Sequence, residues 1–191
     1  MQKLILASAS PRRAHLLRQI GQPFKVVKSD YPEPQIRDEQ MVEEVALAKA
    51  RIVQKRYPSD LILGADTVVV HGTKILGKPG STAEASVMLQ ELCGEKHRVL
   101  TGIALLKGNR MLTAKEETSV WMRFFTREEI RAYIATGEPF DKAGAYGIQG
   151  HGAVFVERIE GCYFNVVGLP LARLALMFNE MDWPLWRNGG D

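Results

Sequence analysis

The chain has 191 residues, 46% hydrophobic and 25% charged, with a net charge of +3. That balance is enough for a real core and excludes nucleic-acid binding by bulk charge, so any charge-driven function must come from local placement. Two cysteines, Cys93 and Cys162, exclude a disulfide scaffold, and no apolar run nears the ~20 residues of a membrane span.

Taken in chain order, residues 3–7 read as a strand running into a small polar turn. A helix over 11–20 follows, with Ser10 as N-cap and Pro11 at its first position. Leu16, Leu17 and Ile20 share one face, and Gly21 stops it. Residues 24–28 read as a strand and 29–39 as an acidic, proline-containing loop. A helix spans 40–57, ended by Pro58. Residues 61–70 form a nearly continuous apolar strand, and His71-Gly72 turns the chain towards 74–76. A helix over 82–92 precedes strands 97–107 and 110–125, joined by Gly108-Asn109. Thr126 caps a helix that Gly137 stops. Residues 153–159 and 163–167 read as a second hairpin around Glu160-Gly161, and 171–179 as a closing helix. The pattern predicts a single α/β domain over 1–191, with a mixed sheet and flanking helices.

Several residues conflict with their surroundings, and such conflicts mark candidate functional positions. Arg12 and Arg13 open the first helix, where free N–H groups and forked guanidinium donors suit an anion. Solvated arginines on an ordinary capped helix are the alternative. Lys49 falls within an apolar stripe formed by Val42, Val45, Ala46, Ile52 and Val53. It needs an anion or a route to water past its own stem. Asp66 sits inside a run that reads as buried on both faces, where an unpaired carboxylate costs several kcal/mol. An ion pair with Lys49 would satisfy both. The small Gly64 and Ala65 leave room for a ligand or a backbone. Lys78 projects from Gly77-Lys78-Pro79-Gly80. Glu33 lies in the acidic loop, where carboxylates bind Mg²⁺ or are simply solvated. Near the C-terminal third, small residues surround Tyr146 and Gln149. Tyr146 offers a stacking ring, and Gln149 a paired donor and acceptor for an imide edge such as uracil or thymine presents. The histidines show no metal-ligand spacing, and phosphate-loop, dinucleotide and nucleophile-elbow motifs are absent.

Together these motifs resemble the Maf family of nucleoside triphosphate pyrophosphatases. The likeness rests on S-x-S-P-R-R at 8–13, the Lys49 helix, G-A-D-T at 64–67, Lys78-Pro79, A-G-A-Y-G-I-Q-G at 143–150 and V-V-G-L-P at 166–170. It implies an elongated α/β fold with two lobes around a central cleft, similar to inosine triphosphatases, and cytoplasmic homodimers. It implies catalysis by Asp66 and contacts to phosphate or metal from Ser8, Arg13, Glu33, Lys49 and Lys78. Arg12, Thr67 and Gln149 occupy positions that sort substrates, and they resemble the branch acting on dTTP and UTP. Gly77 departs from that branch, which often has glutamate there. The expected reaction converts a nucleoside triphosphate and water into the monophosphate and pyrophosphate. A carboxylate alone is a weak base at neutral pH, so a divalent cation, Mg²⁺ or alternatively Mn²⁺, is expected on Asp66 and Glu33. Rival readings are a pyrophosphatase for 7-methyl-GTP or noncanonical purines, and a non-enzymatic, division-linked nucleotide binder. No membrane or nucleic-acid partner is expected, and the short apolar run at 4–7 is not expected to act as a signal peptide.

Overall fold

The computed structural model describes residues 2–32 and 38–186. Strand β1 (Leu4–Leu6) is fully buried and lies between two parallel partners, β2 (Lys25–Val26) and β3 (Leu61–His71). Beyond β3 the sheet becomes antiparallel, through β5 (Lys96–Lys107), β6 (Arg110–Met122) and β7 (Val156–Glu160), while β4 (Lys74–Leu76) folds back onto the far end of β3. The seven strands form one mixed sheet in the order β2-β1-β3-β5-β6-β7, with β4 paired to β3 off that path.

Side chains alternate between the two faces of a strand, and β3 uses both. Leu63 and Ala65 face helices α1 (Pro11–Gln19) and α6 (Leu171–Glu180), in a core with Leu17, Leu174 and Phe178. Further along the same face, Val69 joins a second core with Leu89 of α3 (Thr82–Leu92) and Ile130 of α4 (Arg127–Ala135). These are two separate apolar clusters along one face of the sheet. The opposite face packs Ile62 and Ala104 against Ala46, Ala50 and Val53 of α2 (Met41–Gln54).

Two glycines let α2 sit unusually close to the sheet. A Cβ on Gly64 would lie 2.1 Å from the Ala46 carbonyl oxygen, and one on Gly102 would lie 2.4 Å from that of Val42. The space beside Asp66 is therefore filled by helix backbone.

The sheet also has a gap. The β1 chain makes its last bond to β3 from the Ala7 N–H to the Leu63 carbonyl, at 2.8 Å. Pairing with β4 begins only at Val69. Between them, residues 65–68 of β3 pair with β5 on one side and with no described strand on the other.

The expected second hairpin is not formed. Residues 150–155 form 3-10 turns, and Tyr163–Val167 is a short helix, α5, while β7 pairs with β6. Although the apolar run around Asn165 has strand composition, the helical turn drives that side chain into the interior. There its amide donates to the Val99 carbonyl and the Thr118 hydroxyl, both at 2.9 Å. Gly168, at φ 115°, ends the turn.

Candidate active site

A cavity of about 1210 Å³ opens at the gap in the sheet, where β1 delivers its carboxyl end. Arg12, Arg13, Lys28, Lys49, Lys74, Lys78 and Lys142 line it, against the acids Asp30, Asp66, Glu84 and Asp141. Such an excess of positive charge in a concave site suits a polyanion.

The turn into α1 is organised by Ser8. Its buried hydroxyl accepts from the Ser10 N–H at 3.2 Å and from Arg13 Nη1 at 3.1 Å. Ser10 takes the N-cap position as expected, but no side chain caps the helix. The dipole's positive end therefore meets the cavity without a competing side-chain acceptor.

Arg13 is buried, and most of its fork is taken up by the protein. Nε donates to the Gly168 carbonyl at 2.7 Å, Nη1 also to that of Ala65 at 2.9 Å, and Nη2 to the Thr67 hydroxyl at 2.9 Å. The Ala65 carbonyl is one of those exposed by the gap, so Arg13 fills a place that a neighbouring strand would otherwise take. Thr67 passes its own proton to Thr101 Oγ1 at 2.9 Å, since the Thr101 hydroxyl is committed to the Asn165 carbonyl at 3.0 Å. A continuous buried chain thus runs from α1 through β3 and β5 to α5.

On the other face, Lys49 Nζ meets Asp66 Oδ1 at 2.6 Å. The side chains retain 10% and 14% of their exposure, so the pair forms part of the cavity wall and is nearly, though not fully, dry. Lys49 ties up one carboxylate oxygen, and Oδ2 takes no hydrogen bond among the described residues. Asp66 and Thr67, adjacent in sequence, therefore serve opposite faces of β3 and meet the cavity at its open edge.

Arg12 behaves differently from Arg13. It crosses the mouth of the cavity to residue 141, donating to the Asp141 carboxylate at 2.6 Å and to its backbone carbonyl at 3.1 Å. Lys142 Nζ binds the same carboxylate at 2.7 Å and the Glu138 carbonyl at 2.7 Å. Burial pushes the Asp141 carboxyl up, but the hydrogen bonds from Lys142 and Arg12 outweigh it and leave the group below its ordinary range.

Gln149 lines the cavity, and its amide has no side-chain partner among the described residues. Its segment is held from behind by Glu138, which accepts from the N–H groups of His151 and Gly152 and from the Tyr133 hydroxyl. Tyr146 touches the cavity but is only 5% exposed, and its hydroxyl is 2.7 Å from His97 Nε2. It is a core residue with one edge on the site, so a stacking role for its ring is not available in this arrangement. Burial pushes the Tyr146 phenol up and the His97 imidazole down to about 4, the latter helped by nearby His71.

Lys78 also lines the cavity. The preceding Gly77 accepts from the Gly144 N–H at 3.0 Å, which ties the Lys78 turn to the Gln149 segment. A Cβ at Gly77 would meet nothing within 4 Å, so its departure from the expected glutamate leaves the packing undisturbed. Glu33 lies outside the described residues. Sequence reasoning passed over Gly102, Thr101, Asp141, Glu138 and Asn165. A glycine inside the apolar strand and an asparagine inside an apolar run are signals for two of them. The two acids look like ordinary surface charges.

The family description "Maf-like protein" matches residues 3–181, a span that contains every described residue of the cavity. The chain belongs to the Maf family. Among Maf relatives, a "dTTP/UTP pyrophosphatase" of Symbiobacterium thermophilum is 50% identical over 192 residues, covering 99% of each chain. One of Gloeobacter violaceus is 53% identical over 183 residues, covering 94% of this chain and 96% of the relative. One of a Geobacillus species is 50% identical over 187 residues, covering 96% and 100%. No helix among the described residues of this Maf chain is long and apolar enough to cross a membrane.

Proposed function

We propose that this Maf protein hydrolyses dTTP and UTP, and modified pyrimidine nucleoside triphosphates, to the monophosphate and pyrophosphate. The observation that carries the reading is the Lys49–Asp66 pair set in the wall of a cation-lined cavity at the open edge of β3. Water attacks the α-phosphorus, the bond to the bridging oxygen of the β-phosphate breaks, and pyrophosphate leaves. Lys49 fixes one oxygen of Asp66, so the second faces the reaction as an acceptor for the attacking water's proton. Lys49 and Lys78 neutralise phosphate charge. Arg13 adds its charge from behind while holding Ser8 and Thr67 in place. The uncapped start of α1 offers N–H donors to the same oxygens.

Among the described residues, no three His, Cys, Asp or Glu side chains converge as a metal cage. Mg²⁺ is commonly held by one or two carboxylates together with substrate phosphates, and Asp66 fits that donor set, with Glu33 as the second carboxylate of the proposal. A bound Mg²⁺ or Mn²⁺ supplies further charge neutralisation and makes water a better nucleophile. Arg12, Thr67 and Gln149 choose the base. The same reading takes residues 1–191 as one domain working in the cytoplasm as a homodimer.

The test is pyrophosphate release from a panel of dTTP, UTP, CTP, GTP, 7-methyl-GTP and ITP, with Asp66→Asn as control. The expected outcome is preferential hydrolysis of dTTP and UTP, reduced at least ~10³-fold in a folded Asp66→Asn protein. Preference for a purine overturns the substrate assignment, and binding without turnover overturns the enzyme.

A further inference from the structure

Asp141 is an unexpected residue to find at the mouth of a cavity that takes a triphosphate. A carboxylate there repels the substrate, and it also occupies two donors of an arginine that could otherwise hold phosphate. Its surroundings show what it holds together. Arg12 reaches it across 129 residues, gripping both side chain and backbone. Lys142 grips the second carboxylate oxygen and is itself fixed by the Glu138 carbonyl. The stem of Lys142 passes through the space that a Cβ on Gly147 would fill, since such an atom would lie 2.6 Å from its Cε. Gly147 stands two residues before Gln149, and Glu138 anchors the chain just after it through His151 and Gly152. Arg12, Asp141, Lys142 and the Gln149 segment therefore form one linked unit on one side of the cavity. Among the described residues no hydrogen bond or ion pair joins it to Lys49, whose carboxylate partner is Asp66.

We propose that Asp141 is a positioning residue for substrate choice, which holds the Arg12 guanidinium beside the Gln149 segment and keeps it from acting as one more phosphate ligand. The proposal rests on the reading of Arg12 and Gln149 as base-selecting. Pairing with Asp141 offsets the Arg12 charge, so triphosphate binding becomes less indifferent to the base. Without the carboxylate, Arg12 swings towards the phosphates, and any nucleotide gains from it equally.

The experiment compares kcat and KM for dTTP, UTP, CTP and GTP in Asp141→Asn, Asp141→Glu, Arg12→Ala and the double variant Arg12→Ala/Asp141→Asn. Asp141 is more than half exposed, so these proteins are expected to fold. In Asp141→Asn, discrimination between dTTP and GTP in kcat/KM is expected to fall roughly fivefold, as suits a partly exposed ion pair. The change lies in KM, rising for dTTP and falling for GTP, and not in an equal fall of kcat for every nucleotide. Asp141→Glu recovers part of the discrimination, and the double variant is no less discriminating than Arg12→Ala alone. Unchanged discrimination in Asp141→Asn, where Arg12→Ala alters it, overturns the role of Asp141. Equal losses for all four nucleotides reduce it to a structural residue and also overturn the proposal. If Arg12→Ala itself leaves the base preference intact, the reading of Arg12 fails first and takes this proposal with it.

Discussion

Lys49 and Asp66 stand in each other's environment so closely that neither has a separate energetic meaning. Their 2.6 Å contact is almost dry, and loss of Lys49 leaves the Asp66 carboxylate without its ion-pair partner in the cavity wall. Lys49→Met is therefore expected to cost about 2 kcal/mol of stability as well as activity. Lys49→Met and Asp66→Asn together should cost clearly less than the two single losses added, as urea unfolding of the three proteins would show. The sequence brought both residues forward because each breaks an apolar pattern, and it named their pairing as one way to satisfy both. By residue pattern alone Arg12 and Arg13 are alike, and it is the family resemblance that gives Arg13 to phosphate and Arg12 to substrate choice. The fold sends one inward to Gly168 and the other across the cavity to Asp141.

At the level of elements, the placement of Lys49 depends on how closely α2 can lie on β3 and β5. That distance is set by what is missing at Gly64 and Gly102, where a single methyl group would meet helix carbonyls at 2.1 and 2.4 Å. Gly64→Ala is expected to destabilise by roughly 2–4 kcal/mol, and to lower activity by drawing Lys49 away from Asp66. Gly77→Ala should stay within ~0.5 kcal/mol of the parent in thermal melts, since its added methyl meets open space. The strand and helix periods were legible almost throughout, because burial of an alternating or a 3.6-residue stripe dictates them. The helix at Tyr163–Val167 was not legible. Its local composition favours a strand, and what opposes that preference is the pair of hydrogen bonds from the Asn165 side-chain NH₂ to Val99 and Thr118, two positions far away in the chain.

Across the whole molecule, acid erodes the stability of the fold through buried groups whose pKa values are depressed. His97 is 2% accessible and held neutral, its pKa pushed from the usual 6.5 to about 4. Between those values the unfolded chain binds a proton that the folded chain refuses. Stability is therefore full above pH 6.5 and falls progressively as pH drops towards 4, by on the order of 3 kcal/mol. Urea midpoints measured from pH 7.5 to 4.5 should show this slope, and His97→Asn should flatten it. Glu138 adds to the loss lower down. Burial opposes its charge, but the N–H groups of His151 and Gly152 outweigh burial and depress its pKa, so its contribution fades as pH falls below the ordinary carboxylate range. The Gln149 segment is then released from its anchor. The bond from Arg13 to the Gly168 carbonyl joins residues 155 positions apart. During synthesis the turn into α1 leaves the ribosome early and waits for nearly the whole chain before Arg13 finds its last partner. A growing or prematurely ended chain thus carries the turn without the cavity, and the nucleotide pool meets a working site only when translation has passed residue 168.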